Sequence, residues 1–110
     1  MDQTINDLID QYATKYNLNQ HYIKWYKRLI NDCIDKQFEK HKHRHHIFPR
    51  SWSKRLGLQP INSKINIVKI PYRYHVVAHK LLAKTGDELM IAALEVIVNE
   101  RKNFVESKCK

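Results

Sequence analysis

An α+β fold is predicted: a two-stranded antiparallel hairpin with a helix against it, flanked by N-terminal and C-terminal helices. Three observations predict it. Apolar residues recur at helical spacing near both ends of the chain, as Ile5, Leu8, Ile9, Tyr12 and Tyr16 and again as Leu89, Met90, Ala93, Leu94 and Ile97. Two short runs, 44–48 and 66–70, are bounded by turn-forming residues and read as strands. Pro71 and Gly86 then bracket a helical stretch, proline suiting a first turn and glycine the position just past a last one.

The first helix is expected over 2–16, capped by Asp2 or Thr4, with Asn17-Leu18-Asn19 as a turn. A second runs from about Gln20 to Gln37, with Tyr22, Tyr26, Leu29, Ile30, Cys33 and Ile34 on one side and Lys24, Lys27 and Arg28 on the other. From Lys36 the chain turns basic: Lys36, Lys40, Lys42, Arg44, Arg50, Lys54, Arg55 and Lys64 face a single acid, Glu39. Arg44 to Phe48 reads as the first strand, ended by Pro49, which has no N–H to give a ladder. Ser51 to Lys64, with Gly57 and Pro60, reads as a long loop pinned by Trp52, Leu56 and Leu58. Asn66 to Ile70 is the second strand, and Tyr72 to Lys84 is the helix that Pro71 opens and Gly86 stops. Asp87 caps a last helix through about Glu106, with Phe104 also inward. The segments are then 1–40 (N-terminal helical), 41–85 (hairpin and helix) and 86–110 (C-terminal helix), forming one compact domain.

Charge narrows the partner. A net +9 on 110 residues, with a pI near 9.7, points to a polyanion, nucleic acid ahead of an anionic membrane. No apolar run approaches the ~20 residues of a membrane span, and no signal-peptide pattern opens the chain, so a cytoplasmic protein with no membrane partner is expected. Cys33 and Cys109 stand alone rather than in a Cys-x-x-Cys pair, which gives no evidence of a disulfide framework or a zinc ribbon and agrees with a reducing compartment.

The histidines carry the chemistry. His21, His41 and His43 sit among polar or basic residues and read as surface groups. His45 and His46 are adjacent on the first strand, whereas His75 and His79 share a helical face at i, i+4 spacing. If strand and helix pack together, three imidazoles can converge on one cation while a fourth remains for proton transfer. An imidazole with its ordinary pKa near 6.5 is mostly unprotonated at neutral pH, so it serves either purpose.

Three stretches together resemble the HNH (ββα-metal) endonucleases, particularly their small phage-type members. They are His45-His46-Ile47-Phe48-Pro49-Arg50-Ser51, Asn66-Ile67-Val68-Lys69-Ile70 and the run from Arg73 through His75 and His79 to Lys84. The run Trp25 to Ile30 is similar to a helix that precedes the motif in phage members, so the resemblance covers about residues 25–95. It implies His45, His75 and His79 as metal ligands, His46 as the general base, and Asn66 as the residue that braces the loop and orients His46. It implies a divalent ion (Mg²⁺ or Mn²⁺, with Zn²⁺ or Ni²⁺ as tighter-binding alternatives). The implied partner is DNA, double-stranded, cut to leave 5′-phosphate and 3′-hydroxyl ends, with Lys42, Arg44, Arg50, Lys54, Arg55 and Arg73 meeting it. A protein partner or homodimer is compatible, as is a host-cell cytoplasm if the chain is phage-encoded.

The chain departs from the family in three places. Trp52-Ser53-Lys54-Arg55 stands where many phage members have a glycine pair, the loop between His46 and Asn66 is longer, and Tyr74 stands where an acid commonly precedes the histidine. Two other classes compete with a nuclease. One is a catalytically inactive HNH-fold protein that binds nucleic acid around a structural metal, and the other is a basic helical regulator without metal.

Overall fold

The computed structural model describes residues 1–36, 38 and 42–109, with side chains described through residue 99. The chain is α+β, as predicted: among the described residues, helices surround a single two-stranded antiparallel sheet. Helix α1 (Gln3–Lys15) starts at Asp2, whose carboxylate accepts the Thr4 N–H at 2.9 Å. It ends in a Schellman turn. Leu18 N–H bonds to Ala13 O and Asn17 N–H to Thr14 O, with Asn17 at φ +51°, a left-handed position that asparagine tolerates. Helix α2 (Gln20–Asp35) is capped by the Asn19 side chain and buries Ile23, Tyr26, Ile30 and Cys33. Tyr22 and Leu29 are half-buried, and Ile34, expected inward, is exposed. The expected end at Gln37 and the residues Glu39, Lys40 and His41 lie outside the described residues.

Strand β1 spans Lys42–His46 and β2 spans Ile67–Pro71, two residues and one residue away from the expected bounds. The cause is Asn66. Its backbone C=O accepts Ile47 N–H at 2.8 Å and its side chain takes the Phe48 peptide, so the chain leaves the ladder at His46. Asn66 itself closes a 3₁₀ turn, Lys64–Asn66. The connection is also not all loop. Helix α3 (Arg50–Arg55) begins after Pro49, whose carbonyl accepts from Trp52 and Ser53. Six residues are too few to display a hydrophobic period, which is why the sequence pattern misses them.

What holds α3 is Trp52. Its ring stacks on Tyr12 of α1 at 4.2 Å and meets Phe48 edge-on at 5.6 Å, and all three are buried. Leu56 packs partly against this cluster, whereas Leu58, expected to help pin the loop, is exposed. Helix α4 (Tyr72–Lys84) has its expected bounds and is followed by Gly86 at φ +93°, a left-handed backbone that favours glycine. Helix α5 (Glu88–Cys109) starts at Asp87, which accepts the Met90 N–H. Met90 is buried and Ala93, Leu94 and Ile97 are half-buried, but Leu89 is exposed. Phe104 lies outside the described side chains.

The strand register decides what faces the core. Directly paired residues share a face, so His43 and His45 lie with Ile70 and Val68, and Lys42, Arg44 and His46 lie with Pro71, Lys69 and Ile67. Val68, Ile70 and His45 are buried, while Lys42, Arg44 and Lys69 are exposed. One face of the hairpin therefore delivers His45 inward, with His43 exposed beside it. The other presents cations to solvent.

Candidate metal centre

His45, at 2 % exposure, is the buried member of the cluster. Its ring lies 5.1 Å from that of His75 and 5.2 Å from that of His79, centroid to centroid. One nitrogen from each of the three lies within 4.8 Å of the others, close enough to share one metal ion. The i, i+4 pair on α4 is tighter: its Nε2 atoms are 3.2 Å apart. That is about the edge expected between two imidazole nitrogens on one cation with bonds of ~2.0–2.1 Å. Without a cation the same separation accommodates an N–H···N hydrogen bond.

A further observation fits a cation: the rings are held neutral. Burial pushes His75 and His79 down to about 4 each, the charge of neighbouring imidazoles adding to the fall at His75, and burial pushes His45 well below the ordinary histidine value. Neutral imidazole keeps a lone pair for a metal. The residues present fit a divalent ion.

These depressed values have a consequence for folding. In the unfolded chain the rings protonate near pH 6.5. Between that pH and the folded values of about 4, the unfolded chain binds more protons than the native one. Stability is therefore full above about pH 6.5 and is lost as the pH falls toward about 4. Thermal melts in chelator should show a steadily falling Tm across this window. A flat Tm there would mean that the rings titrate as exposed histidines do.

His46 stands apart from the ligand set. It is half-buried, and its Nε2 lies 2.9 Å from Asn62 Oδ1. An amide oxygen only accepts, so Nε2 carries the proton and Nδ1 holds the free lone pair. His45, His46, His75 and His79 line one cleft of about 220 Å³, together with Arg44 and Arg50. Strand and helix thus bring together two histidine pairs that are far apart in sequence.

Asn66 is fully buried and uses every polar atom of its side chain. Its Oδ1 accepts Phe48 N–H at 2.6 Å, and its Nδ2 donates to Phe48 O at 3.1 Å and Ile61 O at 2.9 Å. These bonds staple the chain just after His46 to the turn before β2.

The basic residues separate into groups. Lys42 borders a groove with Lys36 and Lys69. Arg50 and Lys54 of α3 line another with Leu58 and Pro60. Arg73 is exposed and lies over the Tyr74 ring at 5.0 Å. Arg55, expected to meet DNA, is exposed and also has partners within the protein. Its Nη1 donates to Tyr12 Oη at 3.2 Å and lies 3.7 Å from the buried Asp87, and its guanidinium covers Tyr16. It ties α1 to α3 and to the start of α5.

Three contributors escape the sequence reading. His43 is exposed, as expected of a surface group, yet its Nδ1 lies 3.2 Å from His75 Nδ1. The clue was its i, i+2 relation to His45, which puts both on one strand face. Tyr26 reaches from α2 to His45 Nε2 at 2.7 Å, and Asn62 reaches His46. Neither contact has a local sequence signature. Among the described residues no helix is long and apolar enough to cross a membrane. Comparison with protein-family models, curated proteins and solved structures finds no match for this chain.

Proposed function

We propose that this chain is an HNH-type endonuclease, a divalent-cation-dependent hydrolase of phosphodiester bonds in duplex DNA. The observation that supports it most is the division of labour among four imidazoles in one cleft: His45, His75 and His79 within ligating distance, His46 bonded elsewhere. His45, His75 and His79 would hold the cation, with Mg²⁺ or Mn²⁺ as the working ion and Zn²⁺ or Ni²⁺ binding more tightly. When bound, the cation supplies positive charge for a phosphate oxygen and for the departing 3′ oxygen.

His46 does the proton chemistry. Its free Nδ1 takes a proton from water as the water oxygen bonds to phosphorus and the P–O3′ bond breaks. The 3′ oxygen leaves with a proton drawn from solvent, giving 5′-phosphate and 3′-hydroxyl ends. Asn62 fixes the tautomer that makes Nδ1 the base. Asn66 holds the following peptide, so the ring is presented from a braced chain.

The outer face of the hairpin would guide the DNA. Arg44 pairs directly across from Lys69, with Lys42 two positions along the same strand. Like charges opposite each other destabilise an antiparallel pair by roughly 0.2–1 kcal/mol, a local cost that phosphates lying along the face would offset. Arg50, Lys54 and Arg73 extend the basic surface. Such contacts read backbone rather than bases, so little sequence selectivity is expected.

Neutralising this face should move two quantities in opposite directions. The double variant Arg44→Gln/Lys69→Gln should reduce the slope of log K against log salt by about 1.8 for duplex DNA, at about 0.9 per phosphate contact. It should also stabilise the free protein by a few tenths of a kcal/mol. Fluorescence anisotropy across a NaCl series and thermal melts measure the two. An unchanged slope would remove the hairpin face from the interface. The function itself is tested by plasmid nicking with Mg²⁺ or Mn²⁺, comparing wild type with His46→Ala. Equal activity in both would refute His46 as base, and metal uptake without cleavage by wild type would favour the inactive, nucleic-acid-binding class.

A further inference from the structure

Tyr26 is fully buried on α2, and its hydroxyl sits between two partners, His45 Nε2 at 2.7 Å and Ile47 O at 2.7 Å. A phenol has one proton. A carbonyl oxygen can only accept, so that proton goes to Ile47 O and the phenolic oxygen is left as an acceptor. His45 Nε2 must then be the donor. A neutral ring with its proton on Nε2 has its lone pair on Nδ1.

From this arrangement we infer that Tyr26 is a positioning residue, selecting the Nε2–H tautomer of His45 so that Nδ1 is the nitrogen offered to the metal. The inference rests on the proposed metal centre for its purpose, but the tautomer is a property of the chain alone. Histidine ligands generally donate their second N–H to a carboxylate, carbonyl or water, which sets both ring orientation and tautomer. Here a neutral hydroxyl takes that place, and it brings no charge to the site. The same hydroxyl holds the carbonyl of Ile47, the residue after His46. One side chain from α2 therefore orients the buried ligand and restrains the chain beside the base. The helix ahead of the hairpin becomes part of the centre rather than a mere flank.

The test needs no metal in its first arm. Long-range ¹H–¹⁵N correlation spectra of metal-free protein, at a pH where the rings are neutral, report which nitrogen of His45 carries the proton. Wild type should show Nε2–H, and the Tyr26→Phe variant should show Nδ1–H or a mixture. In the second arm, Zn²⁺ alone is titrated calorimetrically, and Tyr26→Phe should bind it about 10–100-fold more weakly, the usual effect of removing such a partner. Phenylalanine preserves the ring packing, and a circular-dichroism melt confirms that the variant is folded. A His45 protonated on Nδ1 in wild type would overturn the inference without any variant being made. An unchanged tautomer and Zn²⁺ affinity in Tyr26→Phe would overturn it as well, as would a wild type that takes up no Zn²⁺. A wild type that binds Zn²⁺, responds to Tyr26→Phe and cuts no DNA would support the role of Tyr26 and overturn only the nuclease reading.

Discussion

Replacing His46 by alanine is expected to lower plasmid nicking by about 10²–10⁴-fold, the usual contribution of a positioned general base, while Zn²⁺ affinity stays within about twofold of wild type. The dissociation between the two readouts follows from the geometry. His46 lines the cleft but bonds to Asn62, and it is not one of the three rings within ligating distance of each other. It is half-buried, so its loss opens no core cavity, and Tm should change little. His79→Ala should behave differently, losing metal binding and cleavage together. Asn62→Ala should fall between wild type and His46→Ala, because the base remains but its tautomer is no longer selected. Nicking assays paired with calorimetric Zn²⁺ titrations separate these cases. If His46→Ala loses Zn²⁺ as completely as His79→Ala, His46 is a ligand and the assignment of the base is wrong.

The largest effect on stability is expected at Asn66. Its side chain satisfies Phe48 N–H, Phe48 O and Ile61 O inside a fully buried site. Asn66→Asp keeps the shape but replaces two N–H donors by a charged oxygen that faces two carbonyls. Asn66→Ala removes all three bonds. At about 1–3 kcal/mol for each buried group left unsatisfied, either change should cost about 3 kcal/mol or more. For a domain of this size that corresponds to a Tm lower by about 12 °C or more. Activity should fall as well, even at a temperature where the variant is folded, because the staple beside His46 is gone. Thermal melts of both variants check the first point and nicking below the lowered Tm checks the second. A Tm within about 2 °C of wild type would mean that Asn66 is not the brace its hydrogen bonds describe.

Much of the frame follows from local signals. Helix α4 has its expected bounds because Pro71 and Gly86 impose them through backbone geometry alone, at fixed φ in one case and at φ +93° in the other. Caps at Asp2 and Asp87 act within three residues, so side-chain chemistry legible in the sequence marks where α1 and α5 begin, whereas Asn19, read as part of a turn, also caps α2. The pairing of His75 with His79 is likewise a consequence of helix pitch.

Tertiary structure decided what local spacing cannot encode. β1 ends at His46 rather than Phe48 because Asn66, 18 residues on, takes the Phe48 peptide. α3 exists where a loop was expected because Trp52 found Tyr12, on a helix near the start of the sequence. Arg55 and Tyr26 gained partners in the same way, one tied to Asp87 and Tyr12 while still exposed, the other drawn into the histidine cluster. The physical reason is one of range. Periodicity and capping act over a turn or two and are written in neighbouring residues, whereas a buried polar side chain takes whichever partner the packed chain brings within hydrogen-bond distance.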